Sequence, residues 1–68
     1  MQFCIETEQE EDGRWIAEIP DMPGVLAYGE TENRAKANAY ALALRIIADE
    51  VEKSTSVPRS IRVDCASA

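Results

Sequence analysis

A chain of 68 residues with 13 acidic and 7 basic side chains carries a net charge of −6, and none of its residues is histidine. This length allows one domain, residues 1–68, with a small hydrophobic core. The composition excludes catalysis by Ser–His or Cys–His pairs within the chain, and it disfavours direct binding to nucleic acid, which needs clustered Lys and Arg. The acidity suits a basic protein partner, although acidity is also a common means of keeping a small protein in solution.

A β-hairpin is predicted at the start of the chain. The segments "MQFCIETE" and "RWIAEI" alternate apolar and polar residues, as half-buried strands do, and "EEDGR" joins them. A two-residue loop at Asp12-Gly13 would place apolar residues of one strand beside glutamates of the other. A three-residue loop of Glu11, Asp12 and a left-handed Gly13 instead pairs Thr7 with Ala17 and keeps the apolar residues on one face, so we expect this loop.

A tightly specified corner follows in "IPDMPGVLAYGET". Pro20 and Pro23 fix their own backbone angles, and Gly24 allows the turn. The segment "VLAY" is predicted to be a short third strand that ends at Gly29. We interpret this stretch as a shaped corner that presents a rigid surface, and not as a reactive loop.

Thr31 is a suitable N-cap for a long helix, predicted from Glu32 to about Lys53 in an alanine-rich segment without glycine or proline. Its apolar residues form two stripes, Ala35, Ala39, Leu42 and Ile46 in the first and Tyr40, Leu44, Ile47 and Val51 in the second, with Ala43 between them. This apolar arc is wider than one sheet would cover. Either the excess is alanine that tolerates exposure, or the second stripe contacts another subunit or a partner.

The segment "IRVDC" alternates again and predicts a final strand after the loop "STSVPRS". The expected fold is α+β: a single β-β-β-α-β domain with an antiparallel three-strand meander, a parallel fourth strand and one helix on one sheet face. A right-handed crossover gives the strand order 3-2-1-4 in chain-order numbering. Cys4 then points away from the helix and Cys65 toward it, which argues against a disulfide.

The sequence offers few groups for chemistry. Two distant cysteines without a CxxC pair, together with the lack of histidine, indicate no metal site, and no cofactor is expected. Two reduced cysteines, a polar N-terminal segment and the lack of an apolar run of about 20 residues indicate a cytoplasmic protein without a signal peptide or membrane span.

Carboxylates are the remaining candidates. Glu6, Glu8, Glu18 and Asp64 allow the hypothesis of a metal-dependent ribonuclease site on the open sheet face, but a solvated polar face is the simpler interpretation. Glu10 and Glu11 lie in the acidic hairpin tip. This tip is either a solvated turn that discourages edge aggregation or a contact for a basic partner.

The segment "DGRWIAEIPDMPGVLAYGETENRAKANAYALALRI" resembles the core of the HicB antitoxin family. The residues that support the resemblance are Asp12, Gly13, Pro20, Pro23, Gly24, Gly29 and Thr31, followed by Ala35, Asn38 and Ala39. The later segment "VPRSIRV" is similar to the proline-containing loop and last strand of that family. Arg34 stands where the family commonly has Glu.

The resemblance implies a partial RNase H-like fold and a role in neutralising a small basic RNA-cleaving toxin of the HicA type. Many members of the family add a C-terminal DNA-binding segment. This chain ends at Ala68 without one, so direct operator binding is not expected.

The sequence therefore predicts a non-enzymatic, antitoxin-like binding protein that forms a homo-oligomer. The possible contacts with a partner or a second copy are Glu10, Glu11, Tyr40, Leu44, Ile47 and Val51. Two alternatives remain open: an orphan homo-oligomeric domain without a toxin partner, and a metal-dependent ribonuclease.

Overall fold

The strands and the helix follow one another in the predicted chain order. The computed structural model describes residues 2–55 and 62–64. The elements are β1 (Gln2–Cys4), β2 (Glu6–Gln9), β3 (Trp15–Glu18), β4 (Leu26–Gly29), α1 (Glu32–Ser54) and β5 (Arg62–Asp64). The predicted α+β class is confirmed, with a three-stranded antiparallel sheet and one helix packed against it. The predicted loop "STSVPRS" beyond Thr55, and the predicted strand residues Ile61 and Cys65, lie outside the described residues.

The hairpin between β2 and β3 has the predicted register. Thr7 lies opposite Ala17, and the backbone N–H of Glu10 donates to the carbonyl of Arg14 at 2.7 Å. Three residues therefore form the loop. The last of them, Gly13, has a φ of +93°, a region that glycine adopts without a steric penalty. The choice of the odd loop is confirmed because only this register keeps the apolar side chains of both strands on one face.

The corner between β3 and β4 is closed by three backbone hydrogen bonds. Ile19 donates to the carbonyl of Val25 at 3.2 Å, Met22 donates to Ile19 at 2.9 Å, and Val25 donates to Met22 at 3.0 Å. Gly24 has a φ of +93°, as a turn at this position requires. The third strand of the meander begins one residue later than predicted and includes Gly29.

The predicted first strand is divided in two at Ile5. β2 pairs with β3 in the antiparallel sheet β2-β3-β4, whereas β1 lies parallel to β5, with Phe3 beside Val63. Ile5 itself is buried in the core. The described residues thus form two sheets where one sheet of four strands was predicted. A fourth strand in one continuous sheet and the RNase H-like assignment stay predictions.

The helix begins where the sequence predicts. The hydroxyl of Thr31 accepts a hydrogen bond from the backbone N–H of Arg34 at 3.0 Å, which satisfies one of the free donors of the first turn. The helix continues to Ser54, one residue beyond the prediction, and ends at Thr55, whose left-handed backbone has a φ of +55°. The Thr7 hydroxyl donates to Glu32 Oε2 at 2.7 Å, and this bond links β2 to the first helical turn.

Small side chains lie at the centre of the interface between helix and sheet. Fully buried alanines line the helix at Ala35, Ala39 and Ala43, and the opposing core residues are Ile5, Ala17, Ile19 and Val25. The buried sector therefore begins in the first predicted stripe, at Ala35 and Ala39, and passes through Ala43 to Ile47 of the second stripe. Leu42 and Ile46 are half-buried at its margin. Alanine at these positions lets the helix approach the sheet closely.

Candidate functional site

The acidic hairpin tip is held by bonds of its own. Asp12 Oδ1 accepts from the backbone N–H of Arg14 at 3.0 Å, and Oδ2 pairs with Arg14 Nε at 2.8 Å. The backbone hydrogen bond, together with the adjacent guanidinium, lowers the pKa of Asp12 below its ordinary value of 3.8. Gln9 also donates to the carbonyl of Gly13 at 3.2 Å. Asp12 therefore shapes the loop, as a motif residue with a structural role should.

Glu10 and Glu11, predicted as partner contacts, lie at the same tip beside a shallow open depression. Glu11 is exposed and Glu10 is half-buried. Neither of the ion pairs found among the described residues includes them. Both side chains stay candidates for contact with a basic partner.

A second surface lies on the side of the antiparallel sheet that faces away from the helix. Side chains alternate between the two faces of a strand, and Ala17 of β3 is fully buried beneath the helix. Its neighbours in the sequence therefore belong to the opposite face. Two rungs of paired residues cross this face from β2 to β4: Glu6–Glu18–Leu26 and Glu8–Ile16–Tyr28. We call these six residues the open sheet face.

The open sheet face combines acidic and apolar groups in a regular arrangement. The exposed β2 residues, Glu6 and Glu8, are acidic, and the β4 residues, Leu26 and Tyr28, are apolar and aromatic. Leu26 is 44% exposed and Tyr28 is 43% exposed, which is high for side chains of this size. Ile16 lies half-buried between the two edges. Each rung thus changes from a carboxylate on one edge strand to an apolar group on the other.

Among the described side chains, no cation forms an ion pair with the carboxylates of this face. Glu6 lies directly opposite Glu18, and like charges in this position destabilise a sheet. The ion pairs within the described part of the chain join Arg14 to Asp12 and Lys53 to Asp49, so they leave these glutamates without a counter-charge. The guanidinium carbon of Arg14 lies 5.0 Å from the ring centre of Tyr28, at the apolar side of the face.

The second predicted helical stripe is exposed only in part. Tyr40 is 39% exposed and Leu44 is 42% exposed, and Val51 is half-buried. Ile47 is only 7% exposed, so its side chain belongs to the buried sector and offers little surface to a partner. We call Tyr40, Leu44 and Val51 the helix flank.

Glu6, Glu8 and Glu18, three of the carboxylates considered for a metal site, belong to no metal-binding group among the described residues. Within residues 2–55 and 62–64, no three His, Cys, Asp or Glu side chains lie close enough to hold a metal ion. The backbone position of Asp64 is level with Cys4, two residues before Glu6. Cys4 is an exposed free thiol. The prediction that Cys4 and Cys65 form no disulfide is not tested, because Cys65 lies outside the described residues.

The apolar half of the open sheet face was not predicted from the sequence. Glu6, Glu8 and Glu18 were assigned to this face, but Leu26 and Tyr28 were not placed beside them. The pairing of β3 with β4 would have shown it, because in this register Ala17 lies opposite Ala27 and Glu18 opposite Leu26. This register depends on the corner between Ile19 and Val25. The corner is longer than a two- or three-residue hairpin loop, so the rules for such loops do not predict its register.

Comparison with known proteins adds no relative. No protein-family model matches the sequence, and neither a curated protein nor a solved structure matches it significantly. Among the described residues, no helix is both long enough and apolar enough to cross a membrane.

Proposed function

We propose that this chain is an antitoxin-like binding protein that neutralises a small basic RNA-cleaving toxin of the HicA type by protein–protein contact. It acts in the cytoplasm and catalyses no reaction itself. The observation that supports the proposal best is the open sheet face, where exposed apolar groups adjoin glutamates that form no ion pair among the described residues. Such a surface suits a basic protein better than it suits nucleic acid, whose phosphates these carboxylates would repel.

The sequence resemblance to the HicB family supports the same proposal. The motif residues occupy structural positions in the fold: Gly13 and Gly24 have positive φ angles, and Thr31 caps the helix. Three backbone hydrogen bonds close the corner and Thr31 caps the helix, and a surface ordered before binding costs less entropy to present to a partner. We further propose that the two sheets form a partial RNase H-like fold in which β5 serves as the parallel fourth strand.

The test is co-expression of this chain with the small basic protein encoded by the adjacent reading frame. We expect a stable complex in a pull-down and suppression of RNA cleavage by the partner. The chain alone, with added magnesium or manganese, serves as a control and should leave RNA intact. Failure to bind or inhibit the neighbouring protein would refute the antitoxin role, and metal-dependent cleavage by the chain alone would favour the ribonuclease alternative.

A second candidate function is that of an orphan domain that associates only with itself. The exposure of Tyr40 and Leu44 on the helix flank favours it, because a second copy would cover them. In that case the chain forms homo-oligomers and binds no neighbouring toxin. The two candidates are compatible in one respect, since an antitoxin can also self-associate through a surface that its partner does not use.

A further inference from the structure

We propose that the open sheet face is the surface that docks the basic protein partner. Lysine or arginine side chains of the partner meet Glu6 and Glu18, and an apolar side chain of the partner covers Leu26 and Tyr28. This inference rests on the proposed function, because it names the surface through which that function is performed. It commits to a protein that presents basic and apolar groups next to each other.

The pattern of the face resembles that of a binding site between proteins. Leu26 and Tyr28 are alternate residues of β4, so their side chains emerge on the same face roughly 7 Å apart. Single exposed apolar residues are common on protein surfaces, but here two large ones adjoin each other and the half-buried Ile16. Apolar and aromatic anchors surrounded by charged groups are the usual arrangement at protein interfaces.

The charge of the face identifies the partner as basic. Glu6 and Glu18 face each other across the β2–β3 ladder, and the free protein retains their repulsion. The nearby guanidinium of Arg14 is already paired with Asp12, with 2.8 Å between Arg14 Nε and Asp12 Oδ2. Its central carbon lies 5.0 Å from the centre of the Tyr28 ring. A cation supplied by the partner would relieve the repulsion between the two glutamates. Binding would therefore gain from an ion pair that is absent among the described residues of the free chain.

The geometry at Tyr28 favours a partner that packs on the open sheet face over a partner that adds a strand to the edge of the sheet. β4 is an outer strand of the antiparallel sheet. The side chain of Asn38 on the helix donates from Nδ2 to the carbonyl of Tyr28 at 2.8 Å. This bond occupies an acceptor that an added strand would use, and a covered edge discourages strand addition. The side chains of Leu26 and Tyr28 remain accessible from the open face.

The helix flank differs in charge from the open sheet face. The neighbours of Tyr40 and Leu44 one turn away along the helix include Lys36, Ala41 and Ala48, and none is acidic. The flank therefore has no electrostatic preference for a basic partner. Charge complementarity separates the two apolar surfaces, and it assigns the basic protein to the sheet.

The chain itself offers a matched pair of tests. Each surface has one leucine and one tyrosine of similar exposure: Leu26 and Tyr28 at 44% and 43%, Leu44 and Tyr40 at 42% and 39%. One double variant is Leu26→Thr with Tyr28→Thr, since threonine suits a strand. The competing variant is Tyr40→Gln with Leu44→Gln, since glutamine suits a helix. Circular dichroism and thermal melting show that each variant is folded before binding is measured.

The probe is the purified small basic protein from the adjacent reading frame, titrated by calorimetry. We expect the sheet variant to raise Kd about tenfold or more, as the loss of interface anchors does, and the helix variant to change Kd less than about threefold. Amide chemical shifts of the labelled wild type should move mainly in β2, β3 and β4 on addition of the probe. Shifts and affinity losses confined to the helix flank would overturn the inference.

A second comparison tests the charges. Glu6→Gln with Glu18→Gln and the control Glu50→Gln with Glu52→Gln both change the net charge from −6 to −4, and Glu50 and Glu52 are exposed on the helix. We expect only the first variant to weaken binding about tenfold and to reduce its salt dependence. Equal losses in the two variants would show non-specific attraction and overturn the assignment to this face. A larger loss in Glu10→Gln with Glu11→Gln would move the site to the hairpin tip.

The proposed function and this inference fail in different ways. If the wild type does not bind the neighbouring basic protein, the proposed function is wrong and the docking surface falls with it. If the wild type binds and inhibits but the sheet variants bind equally well, the function stands and the inference is wrong.

Discussion

Gly29 is a glycine because the helix backbone lies against it, and not because of its own backbone conformation. The sequence suggested a glycine that ends a strand at a turn, but Gly29 is not among the described glycines with positive φ. A Cβ atom built at Gly29 would lie 2.8 Å from the carbonyl carbon of Arg34 and 2.9 Å from Cα of Ala35, and closer still to the Ala35 nitrogen. The first helical turn therefore packs directly against the backbone of β4.

Gly29→Ala should lower the free energy of unfolding by about 1–3 kcal/mol, because the added methyl group forces helix and strand apart. Urea denaturation measures the loss, and amide shifts of Arg34 and Ala35 report the displaced helix. Gly13→Ala is the control: its added Cβ meets nothing within 4 Å, so its strain comes from the φ of +93° and stays at the hairpin tip. An unchanged stability of Gly29→Ala would show that the helix does not pack this closely.

Asp12 offers a prediction on pH. Its pKa is lowered in the folded chain, first by the hydrogen bond from the backbone N–H of Arg14 and also by the Arg14 side chain. A lowered folded pKa means that the interaction stabilises the hairpin above the ordinary pKa of 3.8 and is lost as the pH falls through the folded value. A carboxyl titration by NMR should place Asp12 below this ordinary value.

In Arg14→Ala the pKa of Asp12 should rise only part of the way toward its ordinary value of 3.8, because the hydrogen bond from the backbone N–H of residue 14 remains. The wild-type chain titrated under the same conditions is the reference for this variant. An Asp12 that titrates at its ordinary pKa in the wild type would contradict the hydrogen-bonded geometry of the loop.

At the scale of whole elements, rules that use only neighbouring residues predicted the hairpin register and the start of the helix. The register of the first hairpin followed from the face on which Thr7 and Ala17 must lie, and the helix start followed from the capping hydroxyl of Thr31. The break at Ile5 and the burial of Ile47 were not predicted. Ile5 and Ile47 are both buried, and burial depends on packing between elements that are distant in the sequence and not on a neighbouring residue.

The alanine line of the helix leads to a prediction at this scale. Ala39→Leu adds three carbon atoms at a fully buried position and should lower the free energy of unfolding by about 1–3 kcal/mol. Ala48→Leu makes the same change at an exposed position of the same helix and should alter stability by less than about 0.5 kcal/mol. Urea denaturation of both variants measures the difference. Equal effects would mean that the helix does not bury its alanines against the sheet.

For the molecule as a whole, candidate residues were easier to predict than surfaces. The sequence identified the glutamates of β2 and β3 and the exposed Tyr40 and Leu44, because charge and helical spacing are visible in one segment. The open sheet face joins residues from three strands, and its apolar half became visible only with the register of β3 and β4. A surface that combines residues from several strands can be predicted only when the register set by every turn between those strands can be predicted.

The helix flank gives the last prediction, on self-association. If a second copy covers Tyr40 and Leu44, Leu44→Glu places a charge in that contact and should reduce the mass measured by light scattering toward that of one chain, without unfolding. Arg45→Gln changes the net charge by the same −1 at the adjacent exposed residue and should leave the mass unchanged. The experiment should be repeated over a range of concentrations, since a small flank supports only weak association. A wild type with the mass of one chain at every concentration would show that the flank contacts no second copy. The exposure of Tyr40 and Leu44 would then have to be explained by a different partner, and the variants designed for the sheet and the helix would identify which surface that partner uses.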